Sequence, residues 1–246
     1  MLRTGPRRAL LYKRPAAVST WTPLLASTAA VWWVDANNSG SITSVGGFGT
    51  AVTQWNDLGT GSHNMTPSGT GPTYTSNVQN GKPGMDFSGG LGIRTASFFV
   101  NQPFMLVVVW KQSGTAPADY GILWQGDRDE SIGGRALIQT KNVDNSNSYN
   151  INAGTVVNQS VTISTGQAYH SRAVFNNTSS SSVLNASSLT GQTAGIGGVE
   201  GGIALSGIAS SAVYSNAIIC EAFIIPNSTG DDATNAAAYT LAKWGI

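Results

Sequence analysis

The residues able to do chemistry are few and scattered. Only three glutamates occur, Glu130, Glu200 and Glu221, among 12 acidic side chains. Glycoside hydrolysis needs two carboxyls about 5–5.5 Å apart for retention or about 6.5–9.5 Å apart for inversion. None of the three glutamates heads a run that would place further acids on one strand face. The one dense acidic cluster is Asp127-Arg128-Asp129-Glu130, close behind Trp124. Its flanks, Gln125-Gly126 and Ser131-Ile132-Gly133-Gly134, make it a loop. Four readings stand for it: a solvated turn, a calcium contact through alternating oxygens, a glycan contact in which an exposed Trp124 stacks on a sugar beside Asp127, Asp129 and Glu130, or, last, a hydrolase site using Asp129 and Glu130.

His63 and His170 have no Cys or His partner at metal-ligand spacing, and His170 is expected on an exposed strand face beside Arg172. No Gly-x-Ser-x-Gly elbow and no phosphate-binding glycine loop occurs. The single cysteine, Cys220, sits in the apolar run Ala217 to Ile225 and reads as a small buried residue. These residues predict no catalytic site, no metal site and no cofactor.

The elements that would position these groups read as strands. Phe104 to Trp110 is an unbroken apolar run, the mark of a strand covered on both faces. Shorter strands are expected at Gly121 to Gln125, Ala136 to Lys141, Tyr149 to Ala153, Val156 to Ile163, Ala168 to Phe175 and Ser182 to Leu189, with Gly195 to Gly207 a long connection. Gly and Asn turns separate them without intervening helices, which favours a sandwich. Val31-Trp32-Trp33-Val34-Asp35 divides its two tryptophans between opposite sheet faces and so suits an inner strand. One helix is expected over Asp231 to Lys243, with Thr229 and Asp232 as a capping box, Gly245 as its stop and Trp244 as an anchor.

Charge is unevenly placed. Five of the 13 basic residues, Arg3, Arg7, Arg8, Lys13 and Arg14, fall in the first 30 residues, no acid precedes Asp35, and the rest of the chain is net acidic. With Gly5, Pro6, Pro15 and Pro23 this opening reads as an extended arm, residues 1–30, ahead of a single domain at 31–246. The arm is either a solvated tail or a tether docking on a partner. Without interleaved aromatics it does not suit specific nucleic-acid recognition. No apolar run is long enough to cross a bilayer, and the Arg7-Arg8 pair lacks the continuous apolar core of an export signal. Charged residues are only 10% of the chain, so hydroxyls and amides must carry its solubility.

The runs Trp21-Thr22-Pro23, Val31 to Ala36, Gln54-Trp55-Asn56-Asp57, Gly71-Pro72-Thr73-Tyr74 and Asn80-Gly81-Lys82-Pro83, with the closing Glu221 to Ile225 and Tyr239 to Ile246, resemble the concanavalin A-like (laminin-G-like) jelly rolls common in phage structural proteins and secreted bacterial proteins. The resemblance implies an all-β, two-sheet antiparallel jelly-roll sandwich with one short C-terminal helix. The Glu-x-Asp-x-x-Glu strand of its glucan-hydrolysing members is missing. Where relatives carry a Ser-Gly-Asn-Gly turn, this chain has Gly59-Thr60-Gly61-Ser62. Together these features lead to the expectation of a non-enzymatic virion protein: a capsid decoration, minor capsid or tail and fibre component. It would be multi-copy, placed on the particle exterior, and held to other virion proteins by Arg3, Arg7, Arg8, Lys13 and Arg14. The alternative is a lectin-like module binding host-surface glycans.

Overall fold

Runs of β-branched and aromatic residues broken by Gly and Asn turns form short strands, and long apolar ones form where both sheet faces are covered. A computed structural model describes residues 20–89, 92–114, 121–127, 136–140, 149–207 and 215–246. The strands in these residues begin with β1 (Trp32–Asp35), β2 (Ile42–Ser44), β3 (Val52–Trp55), β4 (Met65–Pro67), β5 (Thr73–Gln79), β6 (Lys82–Asp86), β7 (Ile93–Thr95), β8 (Phe99–Val100), β9 (Phe104–Gln112) and β10 (Ile122–Gln125). They continue with β11 (Leu137–Gln139), β12 (Tyr149–Asn152), β13 (Val156–Gln159), β14 (Ala168–Phe175), β15 (Ser180–Leu184), β16 (Ser187–Gln192), β17 (Val199–Glu200), β18 (Ala204–Leu205) and β19 (Ala217–Pro226), ahead of helix α1 (Gly230–Trp244).

The strands pair antiparallel into a sandwich. Sheet A has the order β16-β15-β14-β9-β19-β6-β5, with β1 also on β19; sheet B has the order β13-β12-β11-β10-β18-β7-β4-β3-β2; β8 and β17 form a small third pair. Trp32, Trp55, Trp110, Trp124, Phe104 and Phe175 fill the space between the sheets with no exposed surface. The outer face of sheet A is covered by α1 and by residues 21–30, around Met105, Val107, Phe223, Ile225 and Ala236. This double covering explains β9: Leu106, Val108 and Trp110 face sheet B while Met105 and Val107 face the helix side.

Residues 21–30, assigned to the arm from sequence, belong to this packing. The Trp21 ring lies 5.7 Å from Tyr239 and 6.4 Å from Phe223. Ser27 N donates to Asp232 Oδ1 at 2.8 Å, and Ser27 Oγ bonds Asp232 Oδ2. Asp232 is also the reciprocal partner of Thr229 in the expected capping box, and Gly245 closes the helix in the left-handed region with φ +66. Arg3, Arg7, Arg8, Lys13 and Arg14 lie outside the described residues.

Strand β1 departs from the inner-strand expectation. Trp32 faces the core and Trp33 the helix side, as alternation requires, but β19 is the only strand paired with β1 among the described residues. A loop takes the second neighbour's place: Leu58 N, Thr60 N and Gly61 N donate to the carbonyls of Trp33, Ala30 and Val31. A Cβ at Gly59 would lie 2.8 Å from Ala30 O, and one at Gly61 2.5 Å from Val31 O, so the close approach demands glycine. Asp57 fastens the loop, its carboxylate accepting from Trp33 N, Gly59 N and His63 N at 2.8, 2.7 and 2.7 Å.

Two further differences are local. Ser182 to Leu189 is not one strand, because Asn185 takes φ 50 and turns the chain between β15 and β16. The expected connection from Gly195 to Gly207 contains β17 and β18, the latter inserted between β10 and β7.

Candidate functional site

The site arises from a fork. β6 pairs with β19 at Ile218 and Ile219, and β1 pairs with the same strand from Glu221 to Ile224, so two strands share one edge of β19 and part where they meet. Ala36 N donates to Cys220 O at 2.9 Å at the point of divergence. The wedge between them is a cleft of about 490 Å³ lined by Asp35, Asn37, Asn80, Lys82, Tyr239 and Lys243. Asn80 and Gly81 form its outer corner as the two-residue turn joining β5 to β6, with φ 50 and 72.

A bulge in β19 decides what lies at the base of the fork. The register shifts between Ile219 and Glu221. Ile219 and Ala222 face the interior of the sandwich, whereas Cys220 packs with Val109 and Trp244 on the helix side. Strict alternation would aim Glu221 inward with Ile219; the extra residue turns it to the helix side, as bulges do. Asp35 is directly opposite Glu221 across the β1–β19 pair and shares its face.

Glu221 has no exposed surface, yet both carboxylate oxygens are saturated. Oε1 accepts from Trp33 Nε1 at 2.8 Å and Tyr239 Oη at 2.9 Å. Oε2 accepts from Trp244 Nε1 at 2.7 Å and Lys243 Nζ at 3.0 Å. Lys243 Nζ also reaches Asp35 Oδ2 at 2.7 Å and donates to Tyr239 Oη at 2.9 Å. Burial pushes the Glu221 carboxyl upward, while the Lys243 ammonium and the Trp244 donor pull it back. Burial and the two carboxylates push the Tyr239 phenol far above its ordinary range.

The inner half of the site is therefore a closed network that holds α1 against sheet A. The outer half is a recognition surface. It offers the amides of Asn37 and Asn80, the ammonium of Lys82 and the Tyr239 side chain, with the buried Asp35 carboxylate behind them accepting from Lys243 Nζ and Asn37 N, so donors and acceptors converge beside an aromatic. Such a mixture suits a ligand bearing several hydroxyls.

The residues singled out from sequence fall elsewhere. Trp124 is fully buried between the sheets, 6.5 Å from Phe104, and presents no ring for sugar stacking, because β10 lies in the middle of sheet B. Asp127 is also buried, beside Gly201, where a Cβ would come within 3.2 Å of Asp127 Oδ1. Asp129 and Glu130 lie outside the described residues, and no metal-binding group of three acidic, His or Cys side chains occurs among those described.

His170 is not on an exposed face. It is 2% exposed on β14, on the side covered by α1, and its Nε2 has no hydrogen-bond partner. Burial, aided by Arg172, lowers its pKa to about 4. Cys220 is buried as expected, and burial pushes its thiol up. The fork itself was missed, although Glu221 carried a signal: a carboxylate inside an apolar strand requires buried partners.

No protein-family model matches the chain, and no curated protein matches it in sequence. Solved structures do resemble it in fold. Domain 4 of AbnA, a GH43 extracellular arabinanase from Geobacillus stearothermophilus in complex with arabinotriose, aligns with a TM-score of 0.58 at 15% identity, covering 87% of this chain and 98% of that domain. A GH54 α-L-arabinofuranosidase aligns with a TM-score of 0.56 at 13% identity, over 87% of this chain and 59% of its own length. Trypanosoma rangeli sialidase in complex with the inhibitor DANA aligns with a TM-score of 0.59 at 12% identity, over 92% of this chain. This chain spans about a third of the sialidase, 35% of its length. At these identities the likeness establishes the fold, an antiparallel β-sandwich shared with domains of carbohydrate-active proteins.

Proposed function

We propose that the chain is a carbohydrate-binding module that holds sugars in the fork between β1 and β6 without cleaving them. The observation that carries this reading is the lining of the cleft: a carboxylate, two amides, two ammonium groups and a tyrosine converge on about 490 Å³. Support comes from the fold, since the AbnA domain that it matches over nearly the full domain length is a complex with arabinotriose. Support for binding without turnover comes from Lys243. Its ammonium lies between Asp35 and Glu221, 2.7 and 3.0 Å from their oxygens, so an ion pair bridges these two carboxylates.

This reading takes the lectin-like alternative over virion anchoring. The tethering residues Arg3, Arg7, Arg8, Lys13 and Arg14 lie outside the described residues, and the comparisons lend the virion reading no support. The test is a glycan array followed by calorimetry on the intact chain and on the double variant Asn37→Ala, Lys82→Ala. Both side chains are at least partly exposed, so the fold should survive. Binding that drops at least about ten-fold in the variant supports the cleft. Binding unchanged in the variant moves the site elsewhere, and an array without any signal removes the reading.

A further inference from the structure

A second depression lies across the β5–β6 hairpin tip from the fork. The tip is pinned to the end of α1: Gln79 Nε2 donates to Trp244 O at 3.1 Å and Asn80 Nδ2 to Lys243 O at 3.2 Å. A Cβ at Gly245 would meet the Asn80 side chain at 3.2 Å, so hairpin tip and helix end close into one ridge. Asn80, Ala242 and Lys243 face the fork from one flank of this ridge. Gln79, Leu241 and Gly245 face a cleft of about 730 Å³ from the other.

The character of the second cleft is complementary to that of the first. No charged side chain occurs among its described lining residues, which include the amides of Gln79, Gln167 and Asn185. Leu241, 37% exposed, forms part of its wall. Amides around an apolar patch fit the two sides of a sugar ring, hydroxyls on the former and C–H groups on the latter. In the fork, Asp35 and the fully buried Glu221 share the Lys243 ammonium, and Lys82 adds a second ammonium to the lining. With Glu221 counted, the described side chains at either depression therefore carry no net charge that would select an acidic or a basic sugar.

Resting on the carbohydrate-binding reading, we propose that the ligand is a neutral oligosaccharide whose chain crosses the Gln79–Asn80 ridge, with one unit in the fork and following units in the cleft beyond it. Either volume lies within the range of small-ligand pockets, so each depression has room for sugar units, the fork for the first and the second cleft for those linked to it. Units linked across the ridge bind with the advantage of a high effective concentration.

The experiment is calorimetry of the intact chain against neutral arabino-, xylo- and gluco-oligosaccharides of one, three and six units. It compares the unaltered protein with Gln167→Ala, Leu241→Ala, both exposed positions, and with Asn37→Ala, Lys82→Ala. Affinity should rise about ten-fold or more from one unit to six. The Gln167/Leu241 variant should flatten that rise while leaving the single unit bound as before. The Asn37/Lys82 variant should weaken every length. A length dependence that survives the Gln167/Leu241 substitutions overturns the second subsite. Affinity independent of length but still lost in the Asn37/Lys82 variant overturns the oligosaccharide proposal while the binding reading stands. Failure of every oligosaccharide to bind overturns both.

Discussion

Acidification should destabilise this protein through His170 among its described side chains. The imidazole is 2% exposed and its Nε2 is unpartnered, so a proton taken up there creates a buried cation beside Arg172. Its pKa in the fold is lowered from 6.5 to about 4, by burial first and by Arg172 second. A group with a lowered folded pKa binds protons more readily when unfolded. Its contribution is therefore complete above pH 6.5 and is lost progressively as pH falls from there to about 4. A tenfold difference in proton affinity between the folded and unfolded chain is worth about 1.36 kcal/mol, so the loss amounts to about 3 kcal/mol, a large share of a typical domain's 5–15 kcal/mol. Glu221 has the opposite sign, because its raised pKa favours proton uptake by the folded state. The contribution of His170 must therefore be isolated by difference. Urea unfolding followed by tryptophan fluorescence, at intervals between about pH 7.5 and pH 4, should show a steeper loss for the unaltered chain than for His170→Leu, which has nothing to titrate there. Parallel pH profiles for the two proteins would refute the argument, as would a variant that loses stability faster on acidification.

Three further outcomes test other parts of the structure. Glu221→Gln and Lys243→Met should each cost several kcal/mol, on the order of 3–5, while the double variant costs clearly less than their sum; additive losses in urea unfolding would show that the network does not act as a unit. Asp57→Ala should cost about 1–3 kcal/mol by leaving the amides of Trp33, Gly59 and His63 without their acceptor, with faster hydrogen exchange at those three amides as the specific readout. Cys220 should resist thiol reagents in the folded protein and react at once in denaturant, because the side chain is buried and its thiol is pushed up; rapid native-state labelling would contradict the packing against Val109 and Trp244.

Much of this architecture is local and so is written in the sequence. The capping box of Thr229 and Asp232 and the stop at Gly245 involve neighbours a few residues apart, and they place α1 to within a residue. The unbroken run Phe104 to Trp110 reports two covered faces, and the split between Trp32 and Trp33 follows from the alternation of a strand. What sequence alone could not place is anything that depends on which strand lies beside which. Trp124 looks like a surface aromatic beside acids until β10 is seated between β11 and β18. His170 looks exposed until α1 covers its face of sheet A. The fork unites Asp35 and Glu221, 186 positions apart, and Lys243 beyond them. That union rests on two strands sharing the edge of β19 and on one extra residue in its ladder. A period-2 strand reverses every side chain when its register slips by one, so the direction of Glu221, and with it the site, was decided by the bulge and by the long-range pairing that holds it.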